Sequence, residues 1–165
     1  MAKAKRSSKK SARGKTSARR APARKAAKKA APKRAGSDLG ALARKIVRMS
    51  RGATFGPAEI RALYNPDAVS VEANGQSATG YAGLEAKMKG WEQMAASMDA
   101  KARNVWTGRN TICIEWDSTV TMRDGRTAQL REVAVHEIKN GKIQSERYYY
   151  DPSALAPPQG ARPGA

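Results

Sequence analysis

Residues 127–150 read TAQLREVAVHEIKNGKIQSERYYY, two alternating runs around a single turn. Residues 127–138 and 142–150 both show the period of two that a half-buried strand requires. Asn140-Gly141 between them is a dipeptide that tolerates positive φ at both centres of a two-residue hairpin. The same pattern extends upstream, where residues 111–122 alternate, Asp124-Gly125 marks a second hairpin and residues 102–106 suggest one further strand. The C-terminal half of the folded segment is therefore an antiparallel meander.

Before it the period changes to that of helices. Ser37 or Asp38 can cap a helix whose apolar positions Leu39, Leu42, Ala43, Ile46, Val47 and Met49 run to about Arg51. Pro57 suits the first turn of a short second helix reaching Tyr64, which Asn65-Pro66 stops. Residues 68–73 alternate, with Val69 and Val71 on one face, and Asn74-Gly75 follows as a turn. A third helix is expected over residues 81–98, striped by Leu84, Met88, Trp91, Ala95 and Met98. Helices first and a meander after give an α+β fold, a curved antiparallel sheet wrapped around about three N-terminal helices.

Charge divides the chain differently. The 165 residues carry 32 Lys+Arg against 14 Asp+Glu, a formal charge of +18, yet residues 1–36 hold 15 of the bases and none of the acids. Those 36 residues contain no Leu, Ile, Val or aromatic side chain, so they have no apolar surface to offset the entropy of ordering and are expected to form a disordered arm. Residues 37–151 are the size of one domain with one modest core, and residues 152–165, with four prolines and two glycines, are expected to be a disordered tail. No apolar run is long enough to span a membrane and no signal-peptide core follows the basic start, which predicts a cytoplasmic protein. The single cysteine, Cys113, excludes an intrachain disulfide.

The arm's composition resembles the tails of linker histones and of some Ala/Lys/Pro-rich bacterial nucleoid proteins. Cations spaced on a flexible chain displace counterions from a polyanion, and Lys9, Lys10, Arg19, Arg20, Arg24, Lys25, Lys28, Lys29, Lys33 and Arg34 are the candidates for nucleic-acid contact. With about 8 of them on phosphates, log K would fall against log salt with a slope of roughly −7. The arm has nothing with which to read bases, so the binding expected is nonspecific, with association to the nucleoid as its cellular form. The competing roles are solubilisation, contact with anionic lipid and a transit peptide, although the arm lacks the apolar face a transit peptide needs.

Four segments of the domain resemble the SnoaL-like branch of the nuclear transport factor two-like superfamily: Tyr64-Asn65-Pro66-Asp67-Ala68-Val69, Gly80-Tyr81-Ala82-Gly83-Leu84, Val133 through Ile143, and Arg147-Tyr148-Tyr149-Tyr150-Asp151. The likeness covers most of residues 39–151 and implies a cone-shaped fold, whose members include cyclases, isomerases, epoxide hydrolases and binding proteins. Hydrolases and cyclases of the family commonly place a catalytic carboxylate on the last strand. Aligned on Gly141-Lys142-Ile143, that position is Tyr148, where the carboxylate is absent, and Glu146 two residues earlier points the same way.

Treating both hairpins as two-residue turns pairs Arg123 with Arg126 and Lys139 with Lys142, which sets Trp116, Val133 and Tyr148 in one row and Ile114, Val135 and Glu146 in another. The inner face would then carry Ile112, Ile114, Trp116, Val120, Met122, Val133, Val135, Glu146, Tyr148 and Tyr150. Glu146 is the candidate acid or base and Tyr148 the candidate hydrogen-bond donor, with Trp91, Trp116, Val133, Val135 and Tyr150 lining the ligand pocket. The outer face would carry Cys113 opposite His136, together with Glu115, Asp117, Glu132, Arg147 and Tyr149. Leu130, Ala134, Ile138 and Ile143 would form an apolar patch there, suited to the homodimers usual among the proteins this chain resembles. A bulge would move part of either list to the other face.

No phosphate loop, metal-ligand cluster or dinucleotide fingerprint is present in the sequence, so no cofactor and no metal are expected. The expected function is a small-molecule-binding domain acting as an isomerase, cyclase or hydrolase on a hydrophobic carbonyl or epoxide compound, joined to a nucleic-acid-binding arm. The alternative is a noncatalytic, dimeric ligand-sensing or nucleoid-associated DNA-binding module.

Overall fold

Asp38 caps the first helix by accepting a 3.1 Å hydrogen bond from the Ala41 amide, and α1 (Leu39–Met49) buries Ala43 and Ile46, one turn apart. The computed structural model describes residues 38–51 and 55–156. The expectations for the arm and for residues 157–165 of the tail lie outside them. Pro57 opens α2 (Pro57–Leu63), and β1 (Tyr64–Val71), β2 (Ser77–Thr79), α3 (Gly80–Met94), β3 (Ala95–Thr107), β4 (Thr111–Met122), β5 (Thr127–Lys139) and β6 (Lys142–Tyr149) follow.

The strands form one curved, unclosed sheet in the order β2-β1-β6-β5-β4-β3, with β1 parallel to β6 and every other pair antiparallel. The architecture is the α+β layout read from the sequence. Its larger core cluster joins Ile46, Ile60, Leu63, Leu84, Ile112, Ile114 and Ile143 beneath the helices.

Three boundaries differ from the sequence reading. β1 begins at Tyr64 rather than Ala68, its pairing with β6 shifting between Tyr64 and Val69 where Pro66 has no N–H to donate. α3 stops at Met94, and Ala95 and Met98 belong to β3. A register shift between Ala95 and Ser97 turns both of them toward the second core cluster, which reproduces in a strand the three-residue spacing of a helix. Pro152–Leu155, expected in the tail, form a 3-10 turn capped by Asp151, and Ala154 and Leu155 pack on Ala95, Val120, Met122, Ala128 and Leu130.

The hairpin register also differs, with larger consequences. Asn140 (φ 54°) and Gly141 (φ 76°) both take the left-handed conformation of a two-residue turn, as expected. At the other hairpin Gly125 (φ 86°) takes that conformation and Asp124 does not. Asp124 instead accepts a 3.0 Å bond from the Arg126 amide, and Met122 pairs with Arg126 around a three-residue loop. β5 is thereby displaced by one residue against β4, so that Trp116 faces Glu132, Ile114 faces Ala134 and Ile112 faces His136.

A shift between Glu137 and Ile138 adjusts β6, pairing His136 with Glu146 and Ala134 with Tyr148. The expected face of β5 is consequently inverted. Val133 and Val135 lie on the outer face, and Cys113 pairs with Val135 rather than His136. Leu130, Ala134, Ile138 and Ile143, expected as an outward dimer patch, are all buried inside.

Candidate active site

The inverted register brings Ser70, Glu146, His136 and Ile112 into one row across four strands, all buried. The row opens on a cavity of about 950 Å³ between the sheet and α3. Trp91 from α3, Trp116 from β4, Tyr148 near the end of β6 and Tyr150 just after it line it, and Val133 and Val135 do not. Glu72, Lys87, Glu132 and His136 line it as well.

Glu146 lies beneath the cavity, 2 % exposed. Tyr64 Oη donates to its Oε2 at 2.9 Å, His136 Nδ1 stands 3.2 Å from the same oxygen, and Lys87 Nζ is 3.7 Å from Oε1. Burial pushes the carboxyl group up, but His136, the Lys87 charge and Ser70 outweigh that and hold it at about 2. Glu146 is therefore an ionised anchor at any ordinary pH.

Lys87 projects from α3 across the cavity. Its Nζ donates to Ser70 Oγ at 2.7 Å, pairs with Glu72 Oε1 at 2.5 Å and lies 4.3 Å from the centre of the Tyr148 ring. Tyr150 Oη donates to the other Glu72 oxygen at 2.9 Å. Burial first, and the Glu146 charge second, raise the Tyr148 hydroxyl far above its ordinary value, so it stays protonated and can only be a donor when a ligand carbonyl approaches.

His136 is 3 % exposed, and its contact with Glu146 is close enough for an ion pair but too bent for a hydrogen bond. Neither ring nitrogen has a hydrogen-bond partner, and the buried indole Nε1 of Trp91 has none either. Glu132 differs from the other two carboxylates. Burial, then repulsion from Glu72, raise it to about 7, with Lys87 opposing and Glu146 adding to the rise. Among the described residues no group of three or more His, Cys, Asp or Glu is placed to hold a metal ion, and no helix is long and apolar enough to cross a membrane.

The sequence reading missed His136, Glu132, Glu72, Lys87, Ser70 and Tyr64. Lys87 was the most accessible of these, since it lies beside the stripe of Leu84, Met88 and Trp91 on α3. The others depended on the one-residue loop difference at Asp124-Gly125 or on the path of β1.

Comparison with known proteins agrees with this architecture. No curated protein sequence matches the chain. Among solved structures, a protein described as a SnoaL-like polyketide cyclase from Jannaschia sp. CCS1 superimposes with a TM-score of 0.61 at 16% identity, over 70% of this chain and 89% of that one. An NTF2-like protein from Anabaena variabilis gives 0.61 at 14% identity, over 71% and 92%. A protein of ketosteroid isomerase-like fold from Catenulispora acidiphila, solved with trimethylamine, gives 0.60 at 17% identity, over 67% and 88%. At these identities the likeness establishes the fold alone. The sequence profile of the SnoaL-like domain matches residues 51–146, more than half of the chain, and the protein belongs to that family.

Proposed function

We propose that the domain is a proton-transfer enzyme, an isomerase or cyclase acting on a hydrophobic carbonyl compound, with His136 as the group that moves the proton. The observation that carries this is the buried imidazole of a cavity-lining residue, backed by a carboxylate at 3.2 Å from Nδ1 and with an unpartnered Nε2. A carboxylate close behind one ring nitrogen stabilises the imidazolium by its charge once the other nitrogen has taken a proton. Glu146, held ionised, has that charge-stabilising role rather than exchanging protons itself. Tyr148, held protonated on the same cavity, is the donor in this reading to the enolate oxygen that forms as an α-proton leaves.

The test needs no knowledge of the natural substrate. Hydrophobic cyclic ketones incubated with the protein in D₂O should exchange their α-protons faster than in buffer, and His136→Gln should reduce the acceleration by about 100-fold or more. Ketones that bind without accelerated exchange would overturn the reading.

For residues 1–36 we infer nonspecific nucleic-acid binding, carried by 15 cations with no acid among them. Duplex DNA affinity should fall steeply with salt and disappear when residues 1–36 are deleted. Equal affinity of the truncated chain would exclude this role.

A further inference from the structure

Among the described residues, Glu132 is the one carboxylate on the cavity wall without a hydrogen-bond or ion-pair partner. Glu72 receives Lys87 and Tyr150, and Glu146 receives Tyr64, Lys87 and His136, whereas no hydrogen bond or ion pair among the described residues reaches Glu132. Lys87 is already held at Ser70, Glu72 and Glu146. Burying a carboxylate without a partner is costly, and two carboxylates on the wall, Glu72 and Glu132, with Glu146 beneath it, stand against one lysine ammonium. Such a cavity repels anions and attracts cations.

Its surroundings are aromatic. Glu132 pairs across the sheet with Trp116, and on the other side Tyr150 follows the Val133–Tyr149 pair, with both rings on the cavity. Aromatic residues flanking a carboxylate are a setting in which an organic cation is held by charge and by ring quadrupoles together. A second observation on the same cavity also points to a ligand: the buried nitrogens of His136 and Trp91 lack partners. His136 lies four residues along β5 from Glu132, about 13 Å at the rise of a strand. Between them the inward residue is the buried Ala134, and Glu132 and His136 both line the same cavity.

We propose that the cavity takes an organic amine in its cationic form, its ammonium group held at Glu132 between Trp116 and Tyr150 and its other, polar end reaching His136. This deepens the proton-transfer reading by naming the substrate class, and it rests on that reading only for the role of the far end.

Benzyltrimethylammonium and its uncharged carbon isostere, neopentylbenzene, separate charge from shape. Titrated into the full-length protein at pH 8 and followed by NMR, the cation should bind at least about tenfold more tightly than the isostere. Glu132→Gln should bring the two within about threefold by weakening the cation alone, and Glu132→Asp should retain a preference for the cation. Equal affinities for wild type, no binding of either probe, or an undiminished preference in Glu132→Gln would overturn the inference. Ketone exchange at His136 without any cation preference removes the amine and leaves proton transfer standing. Cation preference without exchange does the reverse.

Discussion

Tyr64 donates its hydroxyl proton to Glu146 across 82 residues of sequence, at 2.9 Å and out of contact with solvent. Tyr64 opens β1 and Glu146 lies mid-way along β6, so this bond ties the parallel β1–β6 pair together at the buried carboxylate on which His136 and Lys87 converge. Burial first, and the Glu146 charge second, push the Tyr64 hydroxyl far above its ordinary value, so it remains a donor.

Tyr64→Phe keeps the ring and removes this donor. A hydrogen bond to a charged, buried acceptor contributes roughly 1.5–3 kcal/mol, and a loss of that size in urea unfolding at pH 7 is the expected result. Because the Glu146 carboxyl is held at about 2, below its ordinary 4.5, the stability it contributes is complete above pH 4.5 and disappears as pH falls toward 2. The cost of Glu146→Gln should therefore shrink across that acid window. A cost independent of pH would show that Glu146 is not held ionised.

Glu132 has the opposite sign. Its folded-state value of about 7 lies above the ordinary 4.5, so the folded chain keeps a proton that the unfolded chain has released. Stability should fall as pH rises from 4.5 to 7, by an amount on the order of 3 kcal/mol in the absence of ligand. Glu132→Gln removes this dependence, so the variant should match wild type near pH 4 and exceed it at pH 8. Parallel pH profiles for the two proteins would exclude a perturbed carboxyl at this position.

The extent to which the site was legible in the sequence follows from one loop. Composition and alternation were sufficient for the existence of the helices, for β4, for the meander and for the inward faces of β4 and of β6 from Glu146 onward, because side-chain period depends on neighbours a few residues away. The face of β5 depended on whether Asp124 adopts positive φ or accepts a bond from the Arg126 amide, and both conformations suit Asp-Gly. β5 reads VAVHEI, with apolar residues at both parities, so burial alone did not decide which half faced inward. The result moved His136 and Glu132 from the outer face to the cavity.

The turn glycines separate backbone strain from steric contact. Gly125 (φ +86°) has nothing within 4 Å of where a Cβ would stand, so Gly125→Ala carries only the left-handed penalty of about 1 kcal/mol. Gly80 (φ +68°), at the start of α3, would place its Cβ 3.1 Å from the Pro66 carbonyl oxygen. Gly80→Ala should consequently cost more, about 2 kcal/mol or above, and thermal unfolding of the two variants compares them directly. Equal losses would mean that the β1 backbone yields to the added methyl group.

Lys87 is the only Lys or Arg among the described residues that line the cavity, and it pairs with two carboxylates at once. Lys87→Met keeps an unbranched side chain, one atom shorter, and removes the ammonium that lies over Tyr148 and pairs with Glu72 and Glu146. Removing one partner of a buried ion pair costs about 3–5 kcal/mol, and guanidinium unfolding at pH 7 should show a loss of that order. Glu132 should titrate above 7 in this variant, because Lys87 is the group that lowers it. Adding Glu72→Gln to Lys87→Met should recover part of the lost stability, since Tyr150 can still donate to the amide oxygen while one of the two uncompensated charges is gone. A Lys87→Met protein within about 1 kcal/mol of wild type, with Glu132 unmoved, would show that solvent rather than Lys87 balances the cavity's negative charge.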